Sequence, residues 1–326
     1  MIKIDEKKLK GYTFIDLFAG IGGFHMAMAS FGAQCVFASE WDKDASKTYF
    51  DNFNITPYGD ITKINESDIP SHDFICGGFP CQAFSISGKQ KGFDDTRGTL
   101  FFDIARIIDY HRPRFLLLEN VKNLVSHDSG RTLKTILTTL NDLGYNVFYK
   151  VLNSSHFGLP QHRLRVYFVG FRKDLEIDNF IFPNPPNNYV SLKDILEMES
   201  DHFKFIDRPD IKFYKSYSGL FDINCNKPLQ IGRVNKGGQG ERIYDINGHS
   251  ITLSAYGGGP GAKTGLYYVD NKIRKLSPRE CARVQGFPDN FKLNQKNTQA
   301  YKQFGNSVSV NVLQYLIKSM INHFSF

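Results

Sequence analysis

Tyr12-Thr13-Phe14-Ile15-Asp16-Leu17-Phe18-Ala19-Gly20-Ile21-Gly22-Gly23-Phe24 is the stretch on which the reading of the fold turns. Tyr12 to Phe18 is an apolar run of strand length, Gly20 to Gly23 is a turn, and Phe24 to Phe31 is a helical stretch closed by Gly32. A buried strand turning through glycines into a helix opens a βαβ unit. The same alternation continues. Gln34 to Ala38 predicts a second strand ending at Ser39-Glu40, and Asp42 an N-cap for a helix to about Phe53. Further strands are expected at Phe74 to Cys76, Phe115 to Leu118, Val147 to Leu152 and Arg165 to Phe171, with helices at Leu100 to Tyr110 and Thr132 to Leu143. This is a doubly wound α/β layout with a mostly parallel sheet.

The alternation breaks at Phe182-Pro183-Asn184-Pro185-Pro186-Asn187-Asn188, which can continue neither a helix nor a central strand. Beyond it, ten of the 28 glycines fall between Gly232 and Gly265, interleaved with Arg233, Lys236, Arg242 and Lys263. Such a stretch predicts loops on a small β-rich scaffold, where glycine permits close approach to a partner. Ser307 to Ile321 resumes a helical pattern and is expected to pack back on the first domain. The expected division is therefore 1–190, completed by 303–326, with 191–302 as a smaller domain.

The chain has 326 residues, 41% of them hydrophobic and 22% charged, which excludes disordered and fibrous classes. A net charge of +7 favours a polyanionic partner. The five cysteines are odd in number and form no Cys-x-x-Cys pair, which excludes an ordinary zinc site or disulfide framework; no metal is expected. The opening Met1 to Lys8 is charged, and no apolar run is long enough to cross a bilayer, so the cytoplasm is the expected location and no membrane partner is expected.

The turn at Gly20 is not the usual dinucleotide fingerprint, because the third glycine would fall at His25. Glu40 lies twenty residues after Gly20 at a strand end, where an acidic group commonly accepts hydrogen bonds from ribose hydroxyls. Trp41, the only tryptophan, could cover an adenine, and Asp60, after a possible third short strand, could accept a bond from its amino group. Each residue also has an ordinary reading: packing glycines, a charge at a helix entrance, an N-cap. Together they favour an adenosine cofactor without a pyrophosphate, and S-adenosylmethionine fits better than NAD.

Gly78-Phe79-Pro80-Cys81-Gln82 places a thiol on a proline-fixed turn after a strand. By itself it admits chemistries from protease nucleophile to inert core thiol. Glu119-Asn120-Val121 follows another strand, and Gln161-His162-Arg163-Leu164-Arg165 leads into a third. A thiolate, a carboxyl group and arginines form a logical set for attacking an electron-poor ring: the thiol adds to carbon, the carboxyl group engages a ring nitrogen, and arginine holds a carbonyl oxygen. His25, His156 and His162 are expected to be ordinary core or surface histidines.

These segments, in this order and with Tyr301-Lys302-Gln303-Phe304-Gly305-Asn306-Ser307 near the C-terminus, resemble the DNA cytosine-5 methyltransferases from Phe14 to Val308. The resemblance implies a Rossmann-like methyltransferase sheet with a smaller β-rich target-recognition domain. It implies that Cys81 adds to C6 of a cytosine flipped out of duplex DNA, that Glu119 contacts N3 and the 4-amino group, that Arg165 holds the O2 edge and that Arg163 supports the thiol end. S-adenosylmethionine is the implied cofactor and S-adenosylhomocysteine its product. Phe18, Gly20, Gly22, Gly23, Glu40, Trp41, Asp60, Ile61, Pro80, Leu100 and Asn306 are the implied cofactor residues.

The reactive atoms of a paired cytosine are enclosed by stacking neighbours, so the base must be extruded into a pocket. Ala83 to Thr99 has the glycines and cations for a lid, and Ser85, Ser87, Lys89 and Arg97 are its expected DNA contacts. Gln239, Arg242, Tyr256 and Gly259 are the expected contacts from the small domain, arginine being suited to guanine N7 and O6. The blocks Gln239 to Tyr244 and Ile251 to Gly259 are similar to the recognition loops of a GCGC-specific member of the family, which implies GCGC with the inner cytosine methylated. A monomer is expected, with a possible cognate restriction endonuclease acting on the same site without an obligate complex. Three other readings stay open at this point: an RNA cytosine-5 methyltransferase of the same fold, a DNA-binding relative without catalysis, and a nicotinamide oxidoreductase.

Overall fold

The computed structural model describes residues 4–5, 7–80, 100–186, 188–214 and 227–324. The apolar runs become a six-stranded sheet with strand order β2-β1-β3-β4-β6-β5. Its strands are β1 (Thr13–Leu17), β2 (Gln34–Ser39), β3 (Phe74–Gly78), β4 (Phe115–Val121), β5 (Tyr145–Asn153) and β6 (Leu164–Arg172). β1 pairs in parallel with both β2 and β3, and β3 with β4. β6 enters antiparallel to β4, with Glu119 opposite Tyr167 and Val121 opposite Arg165. The reversal of strand order at β1 and β3 creates the crevice at which open α/β sheets bind ligands, and the glycine turn after β1 lies there.

The intervening helices are α1 (Gly23–Ala29), α2 (Lys43–Phe53), α3 (Leu100–His111) and α4 (Arg131–Asp142). Asp42 caps α2 as its sequence predicts, its side chain accepting from the backbone N–H groups of Asp44 and Ala45. α3 buries Phe101, Ile104, Ala105, Ile107 and Ile108, one apolar stripe at helical spacing, in a core shared with Ile75, Leu116 and Phe168. One expectation is corrected here. No short strand precedes Asp60; residues 54–60 are irregular, and their tie to the sheet is the Tyr58 N–H donating to Ala38 O at 2.9 Å. That segment lacks the apolar alternation a strand would need.

The chain divides into two compact units. The sheet unit comprises 2–152, 164–183 and 313–326, and the other comprises 153–163 and 184–312, with Met1. The terminal helix α7 (Val310–Ile321) thus sends its last turns into the sheet unit, where Phe324 packs on Phe115 with ring centroids 4.5 Å apart. The second unit holds a five-stranded sheet, β11-β10-β9-β8-β7. Its strands are β7 (Lys212–Phe213), β8 (Leu229–Arg233), β9 (Arg242–Asp245), β10 (Leu266–Val269) and β11 (Lys272–Arg274), around a small core of Ile231, Val234, Ile243, Leu266 and Ile273. It also contains α5 (Pro278–Val284) and α6 (Asn297–Asn306). Among the described residues no helix is long and apolar enough to cross a membrane.

Candidate active site

The strand ends of the sheet unit position the carboxylate and arginine expected to engage a base. In the β3–β4 register Gly78 is the partner of Glu119, so the chain leaves β3 toward Pro80 beside this carboxylate. Glu119 pairs with Arg165, Oε1 to Nε at 3.1 Å, with side chains 8% and 15% exposed. The antiparallel entry of β6 makes this pair, because it sets Arg165 against Val121 at the same sheet end. A partly desolvated carboxylate–guanidinium pair offers both acceptor and donor atoms, and its hydrogen bonds are stronger than those between neutral groups. Arg165 also donates from Nη1 to Leu164 O at 2.9 Å.

Asn120 supplies a role that its place beside Glu119 had not revealed. It is buried, and its Nδ2 donates to Phe79 O at 2.8 Å, anchoring the backbone immediately before Pro80. Its own Oδ1 accepts from the Val121 N–H at 2.8 Å. Cys81 itself, with the lid residues Ser85, Ser87, Lys89 and Arg97, lies outside the described residues. Cys76 is a different kind of thiol: it is fully buried, and burial pushes its pKa well up, which leaves it an inert core group.

The cofactor residues of the sheet unit gather at the carboxyl ends of β1 to β3. Phe18 has φ 54° and Gly20 φ 56°, so the chain turns sharply after β1. A Cβ at Gly20 would meet nothing within 4 Å, which marks open space against the backbone. Gly22, the N-cap of α1 at φ 86°, has no room for a side chain unless the Phe53 ring moves, since its Cβ would lie 2.1 Å from that ring. Gly23 begins α1 and is buried.

Glu40 braces this turn. Oε2 accepts from the Gly20 N–H and Oε1 from the Asp42 N–H, both at 2.8 Å, while burial raises its pKa. Each oxygen keeps a further lone pair for a hydroxyl donor. Trp41 beside it is 79% exposed. A cleft of about 490 Å³ opens next to the two, with Lys43, Phe50, Tyr58 and Gly59 among its walls. Asp60 caps the short turn Ile61–Lys63, accepting from the Thr62 N–H at 3.1 Å and the Thr62 hydroxyl at 2.9 Å, and the hydroxyl bond lowers its pKa. Ile61 is buried, Leu100 starts α3 half-buried, and Pro80 is exposed.

His25 is a core histidine, as expected. Its Nδ1 lies 2.7 Å from the Tyr49 hydroxyl, its ring stacks on Phe53 at 4.0 Å, and burial holds its pKa down to about 4. Below it Asp16, fully buried, accepts from the His25 N–H at 3.3 Å and is raised well above the usual carboxylate range by burial.

The second unit brings the expected recognition residues together through glycine. Gly240 and the 258–261 stretch pack backbone on backbone: the Gly261 N–H donates to Gly240 O at 2.7 Å, and a Cβ on Gly240 would fall 2.0 Å from Gly258 O. Gln239 and Arg242 flank one side of this contact and Tyr256 and Gly259 the other, all exposed. Arg242 donates from Nε to Gly237 O at 3.2 Å. Asn306 is exposed at the end of α6. Arg163 has surroundings unlike those of Arg165: it belongs to this second unit and is 2% exposed, its two terminal nitrogens donating to main-chain carbonyls of Leu253, Gly305 and Ser307.

Comparison with known proteins identifies the family. The family model for C-5 cytosine-specific DNA methylases matches residues 12–322. Type II methyltransferase M.HhaI of Haemophilus parahaemolyticus is 53% identical over 328 residues, covering 100% of this chain and 99% of that protein. Type II methyltransferase M.HpaII of Haemophilus parainfluenzae is 44% identical over 332 residues, covering 95% and 89%. Among solved structures, the S. pombe Dnmt2 methyltransferase matches with a TM-score of 0.68 at 20% identity, covering 97% of this chain and 100% of that one. A putative DNA modification methyltransferase encoded within an E. coli prophage matches with a TM-score of 0.70 at 24% identity, covering 96% and 99%. These two likenesses show the fold.

Proposed function

The chain belongs to the C-5 cytosine-specific DNA methylase family, and from that premise we propose that it transfers a methyl group from S-adenosylmethionine to C5 of the inner cytosine of GCGC in duplex DNA. That it is a DNA cytosine-5 methyltransferase follows from the family; donor, target sequence and residue roles are our reading. The observation that carries the roles is the Glu119–Arg165 pair at 3.1 Å, held beside the end of β3 that leads into Cys81.

In this reading the base is extruded from the helix at a cost of a few kcal/mol, because C5 and C6 are enclosed by stacking neighbours. The Cys81 thiolate adds to C6, forming an S–C bond and pushing electron density through the ring toward C5. Glu119 bonds N3 and the 4-amino group and favours the adduct there, while Arg165 holds O2 as charge builds on the ring. Asn120 fixes the Phe79 carbonyl and hence the approach of the thiol. After methylation the C5 proton is lost to a base, the C6–S bond breaks, and Cys81 leaves as thiolate.

The residues at the ends of β1 to β3 suit an adenosine-type donor: open space at Gly20, a braced Glu40 with lone pairs to spare, and an exposed Trp41. S-adenosylmethionine supplies the methyl group as an electrophile. This chain's own groups bind and orient it, with Phe18, Gly20, Gly22, Gly23, Glu40, Trp41, Asp60, Ile61, Pro80, Leu100 and Asn306 as the proposed contacts. Gln239, Arg242, Tyr256 and Gly259 are the proposed reading residues, with 184–312 holding most of the recognition unit. Ser85, Ser87, Lys89 and Arg97 are proposed contacts of the lid. The relatives are type II methyltransferases, which suggests the same restriction-modification setting here, with a monomeric enzyme and an endonuclease sharing the site.

Bisulfite sequencing of an unmethylated plasmid treated with the purified protein and S-adenosylmethionine tests the reading. Protection of the inner cytosine at every GCGC is expected. Protection at a different sequence would overturn the target, and activity on transfer RNA alone would overturn the substrate.

A further inference from the structure

The arginine that the chemistry leaves without contact to the base is buried and serves several main-chain carbonyls at once. Arg163 Nη1 donates to Leu253 O at 3.2 Å and Gly305 O at 3.4 Å; Nη2 donates to Gly305 O at 3.4 Å and Ser307 O at 2.6 Å. A planar fork of donors can serve several carbonyls at once, which a single ammonium cannot. Gly305 is also in the last turn of α6, where carbonyls lack helical partners and a cation is favoured. At the same place the two served segments meet directly: a Cβ on Gly305 would fall 2.2 Å from Ala255 N and 2.6 Å from Ser254 O. The junction is therefore main chain against main chain, riveted by one buried guanidinium.

Both ends of the junction emerge at the surface. One residue past Gly305 stands the exposed Asn306, and one residue past Ala255 the exposed Tyr256. Ser254 turns the second end outward: its hydroxyl donates to Tyr256 O and accepts from the Tyr256 N–H at 3.3 Å. All of these residues belong to one compact unit.

We infer that Arg163 is a positioning residue that couples donor binding at Asn306 to target binding at the Tyr256 loop, through its clamp on Leu253, Gly305 and Ser307. The inference rests on the proposed roles of Asn306 and Tyr256. The coupling follows from close packing: a ligand that fixes Asn306 fixes Gly305, and Gly305 has no room to move without displacing 253–255. Coupling of this kind is reciprocal, so the factor by which the donor's product tightens DNA binding equals the factor by which DNA tightens that product.

The test measures the dissociation constant of a GCGC duplex with and without saturating S-adenosylhomocysteine, for wild type, Arg163→Lys and Ser254→Ala. In the wild type the product is expected to tighten duplex binding by about 5- to 150-fold, the usual range of coupling between two sites. Arg163→Lys keeps the charge but loses the fork, and Ser254→Ala frees Tyr256 while leaving the buried junction intact. Each is expected to bring the factor to about twofold or less while S-adenosylhomocysteine alone binds within about threefold of wild type. Thermal unfolding checks that both variants fold; if Arg163→Lys does not, Ser254→Ala decides alone. Folded variants with the wild-type factor overturn the coupling, as does a wild type that binds both ligands with a factor near one. A wild type that binds neither duplex nor product overturns the functional reading itself, and the coupling with it.

Discussion

At the single-residue level, environment decides reactivity as much as residue type, as Cys76 illustrates. Cys76 is buried in the core, where its charged form is disfavoured, whereas the proposed nucleophile is Cys81, which follows in sequence the Phe79 carbonyl that Asn120 anchors. Cys81→Ser is expected to leave the fold and S-adenosylhomocysteine binding intact while lowering kcat by about 10³-fold or more, the scale seen when a nucleophile that acts with its partners is removed. Single-turnover methylation of a GCGC duplex with calorimetric binding of the product would check this, and a variant of near-normal kcat would remove Cys81 from the mechanism. Glu119→Gln should cost about 10²- to 10⁴-fold in kcat, the usual weight of a positioned acid or base.

Histidine 72 gives a stability prediction at the same scale. It is buried, Nδ1 donates to Pro70 O at 2.8 Å, and burial holds its pKa down to about 4. The unfolded chain binds a proton there near the ordinary 6.5, the folded chain only near 4, so the unfolded state carries more protons between those values. Its contribution is thus full above pH 6.5 and falls as the pH drops toward 4, by up to ~1.4 kcal/mol per pH unit. His72→Asn should flatten the curve of unfolding free energy against pH over that window relative to wild type. Parallel curves would contradict the buried neutral imidazole.

Individual elements were legible in the sequence wherever a local pattern dictated them. The run before Asp16, the glycine turn after it and the Asp42 cap each depend on neighbours within a few residues, and each has its expected counterpart in β1, the start of α1 and the head of α2. What long-range pairing decides was not legible. Nothing in Arg163-Leu164-Arg165 says that β6 runs antiparallel to β4, or that one arginine meets Glu119 while the other meets carbonyls about 90 and 142 residues away. Likewise residues 54–60 have no alternation to read, and their course is fixed by a backbone bond to β2. At this scale Gly22→Ala is the sharpest probe. The new methyl would have to adopt φ 86° and displace the Phe53 ring, costs of about 1–2 and 1–3 kcal/mol. A lowered melting temperature and a raised KM for S-adenosylmethionine are expected; unchanged values would mean the turn has slack it does not show.

Taken whole, the molecule has a Rossmann-like sheet unit, whose strand ends suit an adenosine donor and a base, and a second unit, whose exposed glycine loops suit base edges. The division at 183 and 312, with 153–163 assigned to the smaller unit, gives the loops proposed to read the target, Asn306 and Arg163 a common scaffold. A net charge of +7 adds a general attraction to the polyanion. Binding that rests on phosphate contacts should weaken by about tenfold or more between 50 and 200 mM salt, with a linear dependence of log affinity on log salt. Filter binding across that range checks it, and a flat response would point to a partner other than nucleic acid.

The central claim is that Cys81 attacks C6 of a cytosine flipped out of duplex DNA, and a duplex carrying 5-fluorocytosine at the inner position of GCGC tests it most directly, because fluorine cannot leave as the C5 proton does. Incubated with the wild-type protein and S-adenosylmethionine, it should yield a complex stable to denaturing electrophoresis, with the cross-linked peptide containing Cys81. No covalent complex from a preparation that methylates normal duplex, or a cross-link to any other residue, would contradict the account.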